Sequence, residues 1–146
     1  MAETLLNEIG KDRFKAHSAG SHPTGKVNPF TVDLLKHKGH PIDYLRSKGW
    51  DEFGRPGAPQ MDFVITVCDS AAGEVCPVWP GHPTTAHWGF EDPAAFHGPA
   101  DEKRAEFEAV YRQIEARVRL LVSLLLRNLD RVATEQKVRE IGRTGA

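Results

Sequence analysis

Cysteine is scarce in this 146-residue chain, which contains two, Cys68 and Cys76. Two thiols are too few for the disulfide scaffold of a small secreted domain, so we expect free or redox-active thiols in a cytoplasmic protein. No run approaches the roughly 20 apolar residues of a membrane-spanning helix. The first residues also lack the basic and apolar regions of a secretory signal. We therefore expect no membrane association.

Neither sign of charge predominates, because 19 Lys and Arg face 20 Asp and Glu, for a net charge of -1. This balance gives no support for nucleic-acid binding or for attachment to an anionic membrane surface. The length is typical of one domain with a sizeable core. We predict a single domain over residues 1–146.

Helix-like and strand-like patterns alternate along the chain. Apolar spacing predicts helices over residues 2–9, from the Asn28-Pro29 cap to Gly39, and from about Asp101 onward. Short strands are predicted over Phe14–Ala19, Ile42–Leu45, Asp62–Val67 and around Thr85–Trp88. The alternation indicates an α/β fold with a mainly parallel sheet.

The last predicted helix is apolar on more than one face over Val118–Leu129. Helices that are apolar all round are usually buried, so packing beneath the rest of the domain is one explanation. A surface for a homodimer is the other.

The two thiols follow the clearest predicted strand. Cys68 stands at its carboxyl end, where α/β proteins build their sites. Cys76 comes eight residues later. A helix between them would separate their Cα atoms by about 12 Å, whereas a disulfide needs roughly 4.4–6.8 Å. The pair can therefore oxidise only if this segment is looped or unwinds.

Two other interpretations of the thiols stay open. Both cysteines could be small buried apolar residues. A zinc site could combine Cys68 and Cys76 with His82 and His87, although the cysteine spacing exceeds the usual gap between zinc ligands.

A carboxylic acid follows in the Pro- and Gly-rich region. Asp92 precedes a proline, which favours a loop over a helix, and an acid there could protonate a leaving oxygen. An Asx-turn is the alternative. We expect His87 and Trp88 to pack in the loop. Arg46 and Lys48 could attract an oxyanion or simply be solvated.

Taken together, these segments resemble the thiol-linked arsenate reductases that share the low-molecular-weight tyrosine phosphatase fold. The resemblance runs in order across nearly the whole chain, and the stretch from Cys68 to Pro93 is its most specific part. The matching pieces are Met1-Ala2-Glu3, Ser18-Ala19-Gly20, Asn28-Pro29, Arg46-Ser47-Lys48, Asp62 to Cys68, Asp69-Ser70-Ala71-Ala72, Cys76-Pro77, His87-Trp88-Gly89 and Asp92-Pro93.

The resemblance implies an α/β three-layer sandwich in which a first strand leads into a Cys-x5-Arg loop. In that family the loop holds the oxyanion and supplies the nucleophile, directly before the helix that here starts at Met1. This sequence contains no Cys-x5-Arg loop. We therefore expect a chain clipped at its amino end, lacking the first strand, with little or no reductase turnover on its own.

The resemblance also implies roles for the residues that are present. In the family, a thiol matching Cys68 attacks the cysteine that carries arsenic and releases arsenite. A thiol matching Cys76 then takes over the disulfide. Asp92 matches the acid of the family's Asp-Pro loop. No bound cofactor or metal is implied. The resemblance does imply an external thiol reductant, which is either thioredoxin or glutaredoxin with glutathione. The interval between Cys68 and Cys76 is one residue longer than in thioredoxin-coupled members.

Two other functions remain open. A phosphotyrosine phosphatase of the same fold needs the missing loop but neither Cys68 nor Cys76. A non-catalytic protein could use the thiols to sense oxidation, or its apolar helix end to bind a partner.

Overall fold

The chain forms an α/β structure with a small parallel sheet. It is known from a computed structural model, which describes residues 1–67, 81, 83–124 and 130–143. The strands in these ranges are β1 (Phe63–Thr66) and β2 (Thr84–His87). The α-helices are α1 (Ala2–Gly10), α2 (Pro29–His37), α3 (Ala100–Leu124) and α4 (Arg131–Ile141). Short 3-10 turns occur at Lys11–Arg13, Trp50–Phe53 and Pro93–Ala95.

Strands β1 and β2 pair in parallel, with Thr66 opposite His87. The ladder continues past the strands, because the Trp88 N–H donates to the Thr66 carbonyl at 2.7 Å. The Phe90 N–H likewise donates to the Val67 carbonyl at 3.0 Å. The predicted parallel sheet and both of these strands are confirmed. The segment after β2 therefore runs beside the residues that lead into Cys68.

Helix α3 lies between two hydrophobic clusters and contributes to both. The first cluster joins it to α1 and α2, through Leu5, Leu35, Val110, Tyr111, Ile114, Val118 and Val122. The second joins it to β2 and α4, through Ala86, Trp88, Leu121, Leu124, Val138 and Ile141. In this apolar helix end, burial is confirmed for Val118, Leu121, Val122 and Leu124, whereas Leu120 is exposed. Residues 125–129 lie outside the described ranges. The homodimer surface stays a prediction.

The predicted strand over Phe14–Ala19 is wrong. Side chains of α1 take the backbone hydrogen bonds that a neighbouring strand would otherwise make. The Asn7 amide accepts from the Ala16 N–H at 2.8 Å and donates to the Ala16 carbonyl at 3.2 Å. The Ser18 N–H donates to Glu3 Oε1 at 2.9 Å. An isolated parallel bridge between Gly20 and Gly49 follows.

Two further differences concern short elements. The predicted strand over Ile42–Leu45 is wrong, because the Leu45 N–H donates to the Ile42 carbonyl and closes a turn.

Helix α4 was not predicted, since its sequence is mostly polar and charged. Its signal was the cap at Asp130, whose carboxylate accepts from the Ala133 N–H at 2.8 Å. Among the described helices, none is long and apolar enough to cross a membrane.

Candidate active site at the carboxyl ends of the strands

Of the predicted site residues Cys68, Cys76 and Asp92, the structure describes Asp92. Asp92 lies in the segment that continues the ladder beyond β2. Cys68 and Cys76 lie outside the described residues, although Val67, the last described residue of that stretch, directly precedes Cys68. His82, which belongs to the zinc-site interpretation, also lies outside the described residues. Within the described ranges, no group of three or more His, Cys, Asp or Glu could hold a metal ion.

Asp92 caps the 3-10 turn at Pro93–Ala95. Its Oδ1 accepts from the Ala94 N–H at 2.9 Å, which is the Asx-turn geometry that the sequence allowed as an alternative. The residue is exposed. A carboxylate has lone pairs on two oxygens, so this single bond leaves capacity for a substrate or a proton. The turn explains how the carboxyl is held, and the acid role of Asp92 stays a prediction.

Helix α3 supports the segment before Asp92 through Arg117, a residue that the sequence analysis did not single out. Arg117 Nη1 donates to the Gly89 carbonyl at 3.1 Å, and the guanidinium lies 4.4 Å from the centroid of the Phe90 ring. Only 4% of Arg117 is exposed, and this burial lowers its pKa. The available signal was a charged residue within the apolar 3-4 spacing of the helix.

His87 and Trp88 have different surroundings. Trp88 is buried, and its indole N–H donates to the Val138 carbonyl at 2.9 Å, so the packing prediction is confirmed for this residue. The prediction is wrong for His87, which is exposed at the end of β2. There its Nδ1 is hydrogen-bonded to Thr66 Oγ1 at 2.7 Å, across the paired strands.

The two basic residues that could attract an oxyanion both have carboxylate partners. Arg46 is exposed and makes a two-bond pair with Glu52, and this hydrogen bonding raises the pKa of Arg46 and lowers the pKa of Glu52. The side chain of Lys48 is only 6% exposed, so the alternative interpretation that Lys48 is simply solvated is wrong. Its Nζ lies 3.5 Å from Glu3 Oε1. Arg46 and Lys48 line a cavity of about 300 Å³ beside the start of α1.

Comparison with known proteins places this arrangement in a family. The family model for low molecular weight phosphotyrosine protein phosphatases matches residues 1–136. An arsenate reductase of Bacillus subtilis is 35% identical over 119 residues, 82% of each chain. One from Halalkalibacterium halodurans is 36% identical over the same share.

Solved structures agree with this match. The arsenate reductase from Archaeoglobus fulgidus has a TM-score of 0.63 and 28% identity, covering 84% of this chain and 87% of that one. A thioredoxin-dependent arsenate reductase from Corynebacterium glutamicum shares the fold, with a TM-score of 0.55 and 22% identity over 84% of this chain and 51% of that one. The chain therefore belongs to the low molecular weight phosphotyrosine protein phosphatase family, with the fold that its sequence resemblance implied.

Proposed function

We propose that this protein takes part in the reduction of arsenate to arsenite by cysteine thiols. The observation that carries the proposal is the identity of about 35% to two proteins named arsenate reductase, over 82% of the chain. The described geometry supports it, because an exposed carboxyl at Asp92 lies on a segment paired to the residue before Cys68.

The chemistry needs two electrons and a route for oxygen. Arsenic passes from the +5 to the +3 state, two thiols become one disulfide, and the oxygen lost from arsenic leaves as water. A small-molecule thiol such as glutathione would carry arsenic, because neither of the chain's two cysteines lies in a Cys-x5-Arg loop. Cys68 would attack the sulfur of that thiol, so that a sulfur–sulfur bond forms as the sulfur–arsenic bond breaks and arsenite leaves. Asp92 would donate a proton to a leaving oxygen.

An external thiol protein would restore the reduced state. Cys76 would exchange into the disulfide as a thiolate and present it to that reductant. A thioredoxin-type partner is favoured by the structural neighbour that is named thioredoxin-dependent. Glutaredoxin with glutathione is the alternative that the longer interval between the cysteines leaves open.

The test is arsenate-dependent loss of the chain's free thiols, counted on the protein after single incubations with glutathione. Because the sequence contains no Cys-x5-Arg loop, we expect slow conversion, which counting thiols detects when a continuous assay does not. Phosphate is the matched anion, since it has the same shape and thiols do not reduce it. Thioredoxin and glutaredoxin systems are supplied in separate reactions.

We expect arsenate, and not phosphate, to accelerate thiol loss, and we expect Cys68→Ser to abolish that acceleration. With glutathione as the thiol that carries arsenic, Cys76→Ser should leave the first oxidation of Cys68 intact and slow the recovery by the protein reductant. A folded chain whose thiols disappear equally fast with either anion, with or without Cys68, would refute the proposal.

Hydrolysis of phosphotyrosine is a second candidate function, favoured by the description of the matching family model. It requires no electron transfer, so Cys68→Ser and Cys76→Ser should leave it unchanged. Phosphate release from a phosphotyrosine peptide, compared among the wild type and both variants, separates the two functions.

A further inference from the structure

Helix α3 carries one buried charge within an otherwise apolar stripe. Arg117 follows Ile114 by one helical turn and precedes Leu121 by another, and all three residues are buried. Burying a guanidinium is costly unless it gains hydrogen bonds or other favourable contacts. The contacts of Arg117 therefore indicate what the buried charge provides.

Two of those contacts are made to the segment between β2 and Asp92. Arg117 Nη1 donates to the Gly89 carbonyl at 3.1 Å, and its guanidinium lies 4.4 Å from the centroid of the Phe90 ring. On the other side of this segment, the Phe90 N–H donates to the Val67 carbonyl of the sheet. The chain is thus held between β1 and α3, two residues before Asp92.

The turn that contains Asp92 has a further link to the same helix. Lys103, in the first part of α3, donates to the Ala94 carbonyl at 3.3 Å. Helix α3 therefore holds the chain before the acid through Arg117 and after it through Lys103. Lys103 is only partly buried, whereas Arg117 is almost fully excluded from water.

A leucine or methionine at position 117 would fill the space under Phe90 without burying a charge. Replacing buried charged groups by apolar ones of similar size often leaves stability unchanged or improves it. What the guanidinium adds is direction, because its hydrogen bond and its contact with the aromatic face fix the orientation of Gly89 and Phe90.

We propose that Arg117 is a positioning residue, which fixes the loop bearing Asp92 relative to the carboxyl ends of the two parallel strands. The functional part of this inference rests on the proposed arsenate chemistry, in which Asp92 is the acid. The positioning itself is a property of the loop and is measurable without any turnover.

The test compares three variants by amide hydrogen exchange. Arg117→Met keeps the aliphatic volume and loses the donors, whereas Arg117→Lys keeps the charge and an ammonium donor group but loses the planar guanidinium. Arg119→Met is the matched control, because Arg119 is on the same helix with a 62% exposed side chain. The reporters are the amides of Phe90 and Ala94, which donate to Val67 and to Asp92.

We expect Arg117→Met to accelerate exchange of both reporter amides by about tenfold, since one charge-assisted hydrogen bond that closes the loop is lost. Arg117→Lys should give an intermediate rate, and Arg119→Met should match the wild type. Unchanged exchange of the Leu5 and Val138 amides shows that the hydrophobic clusters remain folded. Wild-type exchange in Arg117→Met would overturn the proposal, because it would reduce Arg117 to a space-filling residue.

A further measurement separates positioning from packing. In the arsenate assay, Arg117→Met should lower the rate of thiol oxidation at saturating arsenate more than it changes the arsenate concentration that gives half of that rate, and adding it to Asp92→Asn should cause no further loss. If the wild type shows no arsenate-dependent chemistry, the proposed function fails, while amide exchange still decides the role of Arg117.

Discussion

A single buried ion pair connects three parts of the chain at the amino end. Glu3 and Lys48 have side chains only 7% and 6% exposed, and Glu3 also accepts from the Ser18 N–H. The pair therefore joins α1 to the segments around residues 18 and 48. Removing one member of a buried pair leaves the other charge uncompensated, which is much more costly than losing an exposed pair.

We predict that Lys48→Met lowers the free energy of unfolding by about 3 kcal/mol, because it leaves the Glu3 carboxylate buried beside an apolar side chain. Urea unfolding at neutral pH measures the loss. Arg46→Met is the matched control, since it removes the neighbouring cation from an exposed pair with Glu52. Equal effects of the two substitutions would show that the Glu3–Lys48 pair is solvated in solution.

The proposed acid gives a second prediction at this scale. Asp92→Asn should preserve the turn, because an amide oxygen can still accept from the Ala94 N–H. It removes the titratable proton, so we expect arsenate-dependent thiol oxidation to slow by about a hundredfold. Asp101→Asn, at an exposed position in the first turn of α3, is the control. A wild-type rate in Asp92→Asn would exclude the acid role.

At the scale of elements, an ion pair ties α2 to α3. Lys38 Nζ lies 2.7 Å from Glu108 Oε1, and Arg112 approaches the same oxygen at 3.2 Å. The hydrogen bond from Lys38 is the main cause that lowers the pKa of Glu108 below its usual value of 4.5. Glu108 binds a proton more readily in the unfolded state than in the folded state. The ion pair therefore stabilises the protein above pH 4.5, and this stabilisation is lost as the pH falls through the lowered pKa of Glu108 in the folded state.

We therefore predict that Glu108→Gln melts at a lower temperature than the wild type at pH 7, and that the difference shrinks as the pH falls below 4.5 and disappears once Glu108 is protonated in the folded state. The difference should be small, because both side chains are partly exposed and solvent screens the pair. Thermal melts across this pH range, at low and high salt, measure it. A difference that persists in acid would point to packing instead of charge.

Helix α4 depends on its amino-terminal cap, because its own sequence has few apolar residues. Asp130 satisfies the Ala133 N–H at 2.8 Å, and the helix then buries Val138 and Ile141 in the second cluster. We predict that Asp130→Ala lowers the free energy of unfolding by about 1 kcal/mol. Asp130→Ser should largely restore it, since serine also caps. Equal losses in both variants would assign the effect to another contact of Asp130.

How far the sequence predicts this fold depends on how local the determining contacts are. Helix α2 was predictable because its cap, Asn28, and its apolar positions are adjacent in sequence. The segment over Phe14–Ala19 has the same local signal as a strand, but its hydrogen bonds are taken by Asn7 and Glu3 of α1. The turn at Asp92 was likewise local, whereas Arg117 reaches Gly89 across 28 residues and no local pattern reveals its partner.

At the scale of the whole molecule, α3 makes the two hydrophobic clusters interdependent. Val118 and Val122 belong to the first cluster, and Leu121 and Leu124 belong to the second. Leu6, Phe14 and Phe90 pack against both. Since one helix contributes to both clusters, disruption of either one should destabilise the other. This coupling supports our proposal that residues 1–146 form a single domain.

Matched truncations in the two clusters test that proposal. Leu35 is fully buried in the first cluster and Leu121 is 1% exposed in the second. We predict that Leu35→Ala and Leu121→Ala each lower the free energy of unfolding by about 3 kcal/mol. Hydrogen exchange of α2 and of β2, followed separately in urea, should show both elements destabilised equally in each variant. If each substitution destabilised its own cluster alone, the chain would unfold as two independent units, because α3 would not transmit the loss.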